Sequence, residues 1–176
     1  TDFINYDRNN VITVRVDATQ YEGWFYEGAG IYRHVWLNSY ANTHIATDGV
    51  FAYAAITGNK AILSVETTIA NEYSVGGSYS VNTYLTDRSG VKIGTAKEAP
   101  VTINSNEEKT SKQIINVTNP TLWSLENPYL YRVVVELKQN GVVVDSKKLR
   151  FGFRTIEIKP NGVFLNGKYI KLFGTN

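Results

Sequence analysis

Two glutamates stand beside a run of aromatic residues in the first part of the chain. Glu22 and Glu27 flank Trp24, Phe25 and Tyr26. Hydrolysis of a glycosidic bond needs a pair of carboxyl groups, and aromatic rings offer flat faces on which a sugar can stack. The other interpretation is that the rings pack against a neighbouring domain while the glutamates lie in a loop, since so many large rings exceed what one sugar requires. We favour packing and assign no catalytic residue.

The other reactive side chains form no recognisable catalytic or metal-binding motif. His34 and His44 are the only histidines, and neither has an acidic pair at ligand spacing, so we expect no metal site. The absence of cysteine excludes disulfides, thiolate zinc sites and a cysteine nucleophile. The sequence also lacks a nucleophile elbow and a phosphate-binding loop, and we expect no cofactor. Arg33 and Arg154 follow aromatic segments; we expect ion pairs or stacking at domain junctions rather than substrate contact.

The composition limits the size of the fold and the kinds of partner. With 176 residues, of which 43% are hydrophobic and 12% aromatic, the chain can bury one sizeable core and part of a neighbour. The net charge of +2 is scattered, so we expect no nucleic-acid partner, and no apolar run approaches the ~20 residues of a membrane span. The chain starts without Met or a leader and ends on the apolar segment Lys171–Asn176. We expect both ends to lie within a longer polypeptide.

The elements that must position these side chains are strands. Apolar and polar residues alternate with a period of two, and turn residues, three Asn-Gly pairs among them, separate the segments. About seven strands between Ala41 and Thr155 predict an all-β fold, an immunoglobulin-like antiparallel β-sandwich, with the polar stretch Asn104–Ser111 as a connecting loop. The clearest alternating segments are Val11–Val16, Ala61–Ile69, Tyr79–Leu85 and Tyr129–Leu137.

Three segments carry a resemblance to a known family. In Glu22–Leu37 an aromatic stretch leads through Gly28 and Gly30 into an expected strand that would bury Tyr32. Leu122–Tyr131 combines Leu-Trp-Ser with Pro-Tyr-Leu-Tyr, and Phe151–Arg154 reads Phe-Gly-Phe-Arg before an Asn-Gly-Lys hairpin. In this order and spacing the segments resemble glycoside hydrolase family 2, which contains β-galactosidases, β-glucuronidases and β-mannosidases.

The resemblance implies parts of three domains. Residues 1–40 would be the tail of a sugar-binding jelly-roll domain, residues 41–155 the immunoglobulin-like sandwich, and residues 156–176 the opening hairpin of a catalytic (β/α)₈ barrel. It implies a full-length enzyme that cleaves β-glycosides with retention through two glutamates on barrel strands that follow Asn176. The chain itself would be a non-catalytic structural piece. One of Trp24, Phe25 or Tyr26 would then line the substrate pocket of the full-length enzyme.

Other functions stay open from the residues alone. A free-standing carbohydrate-binding or adhesion module would use exposed aromatic rings to bind sugars, and a cell-surface spacer would need no enzyme at all. On the family interpretation, the partners are the flanking domains of the same polypeptide and, in the full-length enzyme, a carbohydrate substrate. Whether the protein forms a homo-oligomer stays open. Because relatives degrade polysaccharides, the resemblance favours a periplasmic or secreted location.

Overall fold

The computed structural model of the chain describes residues 3–17 and 30–174. The chain divides into two units, Thr1–Asn38 and Ser39–Asn176. Helices are absent from the described residues, so none of these residues belongs to a helix that could cross a bilayer.

The first unit differs from what the sequence predicts. Neither Val11–Val16 nor the part of the chain from Ile31 to Leu37 forms a strand. The side chains of Val11 and Trp36 are 88% and 76% exposed, and that of Tyr32, expected to be buried, is 86% exposed. Strands persist only where their backbone groups pair with another strand. Such pairing does not occur within residues 3–17 and 30–38, so alternation alone does not produce a strand there.

The second unit is built from strands. In chain order the described strands are β1 (Thr43–Thr57), β2 (Lys60–Asn71), β3 (Gly77–Thr86), β4 (Lys92–Thr95), β5 (Ala99–Ile103), β6 (Glu107–Thr118), β7 (Tyr131–Gln139), β8 (Val142–Phe151), β9 (Ile156–Lys159), β10 (Gly162–Leu165) and β11 (Lys168–Ile170).

Two antiparallel sheets make the sandwich. One has the order β1-β2-β6; in the other the order is β4-β3-β7-β8, and β5 pairs with β3 beside β4. The chain crosses between the sheets from β2 to β3, from β5 to β6 and from β6 to β7, so the connectivity is not the simple meander of hairpins that the turn spacing suggests. A third sheet, β9-β10-β11, is a short meander. The prediction of an all-β, immunoglobulin-like antiparallel sandwich is confirmed.

Alternating side chains fill the space between the two sheets. Along most of β2 the inward positions are buried while their neighbours are exposed or partly exposed, and β7 buries Tyr131, Val133, Val135 and Leu137 on its inward face. Fully burying one such aliphatic side chain contributes about 1.5–3 kcal/mol. The core therefore rests on the period-two pattern that the sequence displays. Its fully buried side chains include Ile45, Leu63, Val65, Ile69, Val81, Leu85, Ile103, Ile115, Val133, Val135, Leu137 and Phe153.

A buried glutamine links the sheets through polar contacts. The Gln113 amide nitrogen donates to the carbonyl oxygens of Val81 and Lys97 at 3.1 and 2.8 Å, and its oxygen accepts from the Thr83 hydroxyl at 2.6 Å. All three of these side-chain bonds reach across from β6 to the opposite sheet or its connection. Because buried polar groups are costly when unpaired, these contacts fix how the two sheets face each other.

The sequence predicts the Asn-Gly turns correctly but places one loop boundary wrongly. Asn140-Gly141 and Asn166-Gly167 form two-residue turns in which both residues have positive φ, at 52° and 81° and at 51° and 76°. The predicted loop Asn104–Ser111 is wrong in its second half, because β6 begins at Glu107 and pairs with β2 along its whole length. Backbone pairing does not depend on apolar side chains, and at the start of β6 the polar side chains of residues 108–110 are exposed.

Candidate functional site

Two of the segments that carry the family resemblance meet in space at one end of the sandwich. Leu122 and Phe153 form an isolated parallel bridge, and the Trp123 amide donates to the Phe153 carbonyl oxygen at 2.8 Å. The connection from β6 to β7 is thereby hydrogen-bonded to the chain that leaves β8. We call the group Trp123, Phe153, Arg154 and Asn166 the joint.

An aromatic cluster anchors the joint in the core. The Phe153 ring is fully buried and lies edge-on to the rings of Tyr131 and Phe151, with centroids 5.1 and 5.0 Å apart. Such pairs contribute about 0.5–1.5 kcal/mol each beyond burial of their area. The Tyr131 hydroxyl oxygen accepts a hydrogen bond from the Thr121 amide at 2.8 Å. The backbone on both sides of the joint is therefore fixed by the sandwich core.

Asn166 ties the third sheet to the sandwich. Its side-chain oxygen accepts from the Thr155 amide at 2.9 Å, and its side-chain nitrogen donates to the Trp123 carbonyl oxygen at 3.0 Å. Its own amide donates to the Thr155 carbonyl oxygen at 2.9 Å. Asparagine suits the position because its φ of 51° lies in the left-handed region, where asparagine is better tolerated than most residues. One side chain thus connects the β10–β11 turn to both segments of the sandwich end.

A stacked arginine and a glycine complete the joint. The Arg154 guanidinium lies over the Trp123 ring, 5.0 Å from its centroid. A Cβ added at Gly152 would lie 3.0 Å from the Trp123 Cβ, so a larger residue there would displace the indole. The Arg33 guanidinium likewise lies 5.3 Å from the centroid of the Tyr32 ring. Both guanidinium groups thus lie over aromatic rings, while their predicted role in ion pairs or stacking at domain junctions stays a prediction.

The candidate substrate-binding residues Trp24, Phe25 and Tyr26 lie outside the described residues, as do Glu22 and Glu27. Their assignment stays a prediction.

The two histidines have ordinary surroundings. His34 lies edge-on to the Trp36 ring, with centroids 5.6 Å apart. His44 stacks on Tyr40 at 4.7 Å, and its Nδ1 is 2.8 Å from the Ala41 carbonyl oxygen. Within residues 3–17 and 30–174, no three His, Asp or Glu side chains converge as they would around a metal ion. The joint is therefore the arrangement of described residues that we take as the candidate functional site.

Comparison with known proteins places this arrangement in a family. The model of the family described as glycosyl hydrolases family 2 matches residues 43–154. The chain belongs to glycosyl hydrolases family 2. The matched range ends at Arg154, so it contains the sandwich and the joint residues Trp123, Phe153 and Arg154.

Family 2 relatives align along nearly the whole chain. A β-galactosidase of Bacteroides ovatus is 31% identical over 99% of this chain and 21% of its own length. A β-galactosidase of Thermoanaerobacter pseudethanolicus is 32% identical over 100% of the chain and 24% of its own length. A β-glucuronidase of Formosa agariphila is 28% identical over 99% and 20%.

Solved family 2 structures share the fold. A member from Bacteroides cellulosilyticus is 34% identical with a TM-score of 0.71, covering 76% of this chain and 18% of that one. The β-glucuronidase of Bacteroides uniformis is 26% identical with a TM-score of 0.77, covering 87% and 20%. The chain spans about a fifth of the length of the curated relatives it matches. This result does not favour a free-standing binding module, because the relatives carry the same segment inside much longer proteins.

Proposed function

We propose that the chain is the non-catalytic sandwich domain of a family 2 enzyme and that its role is architectural. It holds the segment that follows β8 at a fixed position relative to the sandwich. The single observation that carries this proposal is the joint, in which Asn166 of the third sheet is hydrogen-bonded to Trp123 and Thr155. A spacer without this task would not need a buried ring and two side-chain bonds at the exit from β8.

The proposed domain limits are residues 1–40 for the jelly-roll tail, 41–155 for the sandwich and 156–176 for the first hairpin of the barrel. The division of the chain after Asn38 and the separate sheet β9-β10-β11 support these limits. The exposed apolar side chains of residues 11–16 and 31–37 support the first limit, since such residues are normally covered in a complete domain.

The proposed reaction of the full-length protein is hydrolysis of a β-glycoside with retention, by two glutamates of the barrel. The names of the relatives, β-galactosidases and β-glucuronidases, support this proposal and define the two substrate classes to compare. Trp24, Phe25 and Tyr26 are proposed to lie at the edge of the sugar pocket in that protein.

The architectural role is tested by hydrogen exchange on Asn166→Ala. The change removes both side-chain bonds between the β10–β11 turn and the sandwich end, so amides of β9–β11 should exchange faster while those of β2 and β7 keep their protection. The matched control is Trp36→Ala, whose ring is 76% exposed and should leave both sets unchanged. Unaltered exchange in β9–β11 of Asn166→Ala would show that the joint does not hold the third sheet, and the proposal would fail.

A further inference from the structure

Three arginines surround a pocket on the outer side of the five-stranded sheet. Arg88 lies in the turn between β3 and β4, while Arg132 of β7 is directly opposite Arg150 of β8. Together with Asn127, Pro128 and Leu130 they line a cavity of about 320 Å³. Among the described ion pairs, none involves these three guanidinium groups.

The arrangement is unfavourable for the sandwich on its own. Like charges directly opposite each other on antiparallel strands destabilise the strand pair. The nearby Asp87 does not relieve this charge, because its carboxylate accepts hydrogen bonds from the amides of Ser89 and Val91 and from the Ser89 hydroxyl. Glu136, on the same outer face, accepts hydrogen bonds from Asn82 and Tyr84 and pairs with Lys138. The pocket therefore presents positive charge to whatever enters it.

Packing fixes one of the arginines in advance. The Arg88 guanidinium lies 4.1 Å from the centroid of the Tyr129 ring, and that ring packs on Tyr131 with centroids 4.8 Å apart. Arg132 and Arg150 are paired residues near the start of β7 and the end of the edge strand β8, so the spacing of their backbones is set by the register. A guanidinium whose position is set before binding loses less entropy when an anion arrives.

The shape of the pocket indicates the kind of anion. Its volume is at the lower end of the roughly 300–1,000 Å³ of ligand pockets, which suits one sugar ring better than an extended polyanion or a flat protein surface. The guanidinium groups can bind a carboxylate in bidentate fashion. Pro128 and Leu130 offer apolar surface to the C–H face of a ring, and the Asn127 amide can bond to hydroxyl groups.

We propose that this pocket binds a uronate residue of an acidic saccharide, with its carboxylate between Arg132 and Arg150 and its ring against Pro128 and Leu130. The binding of a uronate is independent of the architectural role, because none of the residues that line the pocket belongs to the joint.

The test is a titration of the 176-residue chain with D-glucuronate, D-glucose and acetate at one ionic strength, followed by amide chemical shifts. Saturable shifts at Arg132, Arg150 and Leu130 are expected with glucuronate only. Arg150→Ala should weaken glucuronate binding about tenfold, the loss expected for a charge-assisted hydrogen bond, and Arg150→Lys should weaken it nearly as much because lysine cannot bind in bidentate fashion.

The matched control is Lys112→Ala, which removes one positive charge from the outer face of the other sheet and should leave glucuronate binding unchanged. Equal binding of acetate and glucuronate, or of glucose and glucuronate, would overturn the proposal, as would unchanged affinity in Arg150→Ala. Absence of any saturable shift with glucuronate would overturn it as well. Arg150 is exposed, so its variants are expected to fold, and their amide spectra report this directly.

Discussion

The bonds made by Asn166 predict a measurable loss of stability when its side chain is removed. Asn166→Ala deletes the acceptor of the Thr155 amide and the donor to the Trp123 carbonyl oxygen. At about 1 kcal/mol for each hydrogen bond, the two bonds contribute about 2 kcal/mol. Alanine at a φ of 51° adds roughly 1–2 kcal/mol of backbone cost, which has nothing to do with the joint.

A second turn in the same chain isolates the contribution of the bonds. Asn140 has a φ of 52° and is followed by Gly141, as Asn166 is followed by Gly167, and it is exposed. Asn140→Ala should therefore carry the backbone cost alone. The opening free energy of the β10–β11 hairpin in Asn166→Ala should therefore fall by about 2 kcal/mol more than that of the β7–β8 hairpin in Asn140→Ala.

Native-state hydrogen exchange measures both losses in their own hairpins. A difference of 2 kcal/mol corresponds to about a 30-fold greater acceleration of amide exchange for the joint variant. Asn166→Asp keeps the acceptor and loses only the donor, so it should fall between the two. Equal accelerations in Asn166→Ala and Asn140→Ala would refute the reasoning, because the side-chain bonds would then contribute nothing.

Four further substitutions test the sandwich itself. Thr67→Val should leave the free energy of unfolding in urea unchanged or slightly higher, because the Thr67 hydroxyl is buried without a hydrogen-bond partner among the described residues. Thr83→Val should lower the free energy of unfolding by about 1–3 kcal/mol, because it removes the donor to Gln113. Hydrogen bonds from the Ser89 hydroxyl and from backbone amides of the same turn lower the pKa of Asp87. The turn should therefore be intact above the ordinary carboxyl pKa and should loosen as the pH falls through the lower pKa of the folded state. Amide chemical shifts measured against pH should show this transition, and Asp87→Asn should abolish it. Asn71→Asp replaces a buried amide that donates to two backbone carbonyl oxygens, and it should cost about 3 kcal/mol or more at neutral pH. Protonation of the new carboxyl group restores a donor, so unfolding measurements should show part of that loss recovered at low pH.

The sandwich core could be predicted because its inward positions follow one rule. Along Ala61–Ile69 and Tyr131–Leu137, alternate residues are apolar, and the structure buries them. The same rule fails for Val11–Val16, because alternation describes what a strand would bury and does not supply the neighbour with which it pairs. It also misses the start of β6 at Glu107, where the pairing is made by the backbone and the side chains are polar.

The joint could be predicted only in parts. The sequence marks Trp123 and Phe153 within recognisable segments, and it marks Asn166 as a turn residue. That Asn166 reaches the carbonyl oxygen of Trp123, 43 positions earlier, depends on how the chain crosses between the sheets. The arginine pocket was missed for the same reason, since Arg132 and Arg150 become neighbours only through the register of β7 and β8.

The central claim, that this chain is a non-catalytic scaffold, is tested most directly by a turnover assay on the purified 176-residue protein. Nitrophenyl β-galactoside and β-glucuronide are the substrates that match the two classes of relatives. A non-catalytic scaffold should hydrolyse neither substrate faster than buffer alone does. Turnover that persists through purification and disappears in Glu27→Gln would contradict it, because a carboxylate of this chain would then be catalytic.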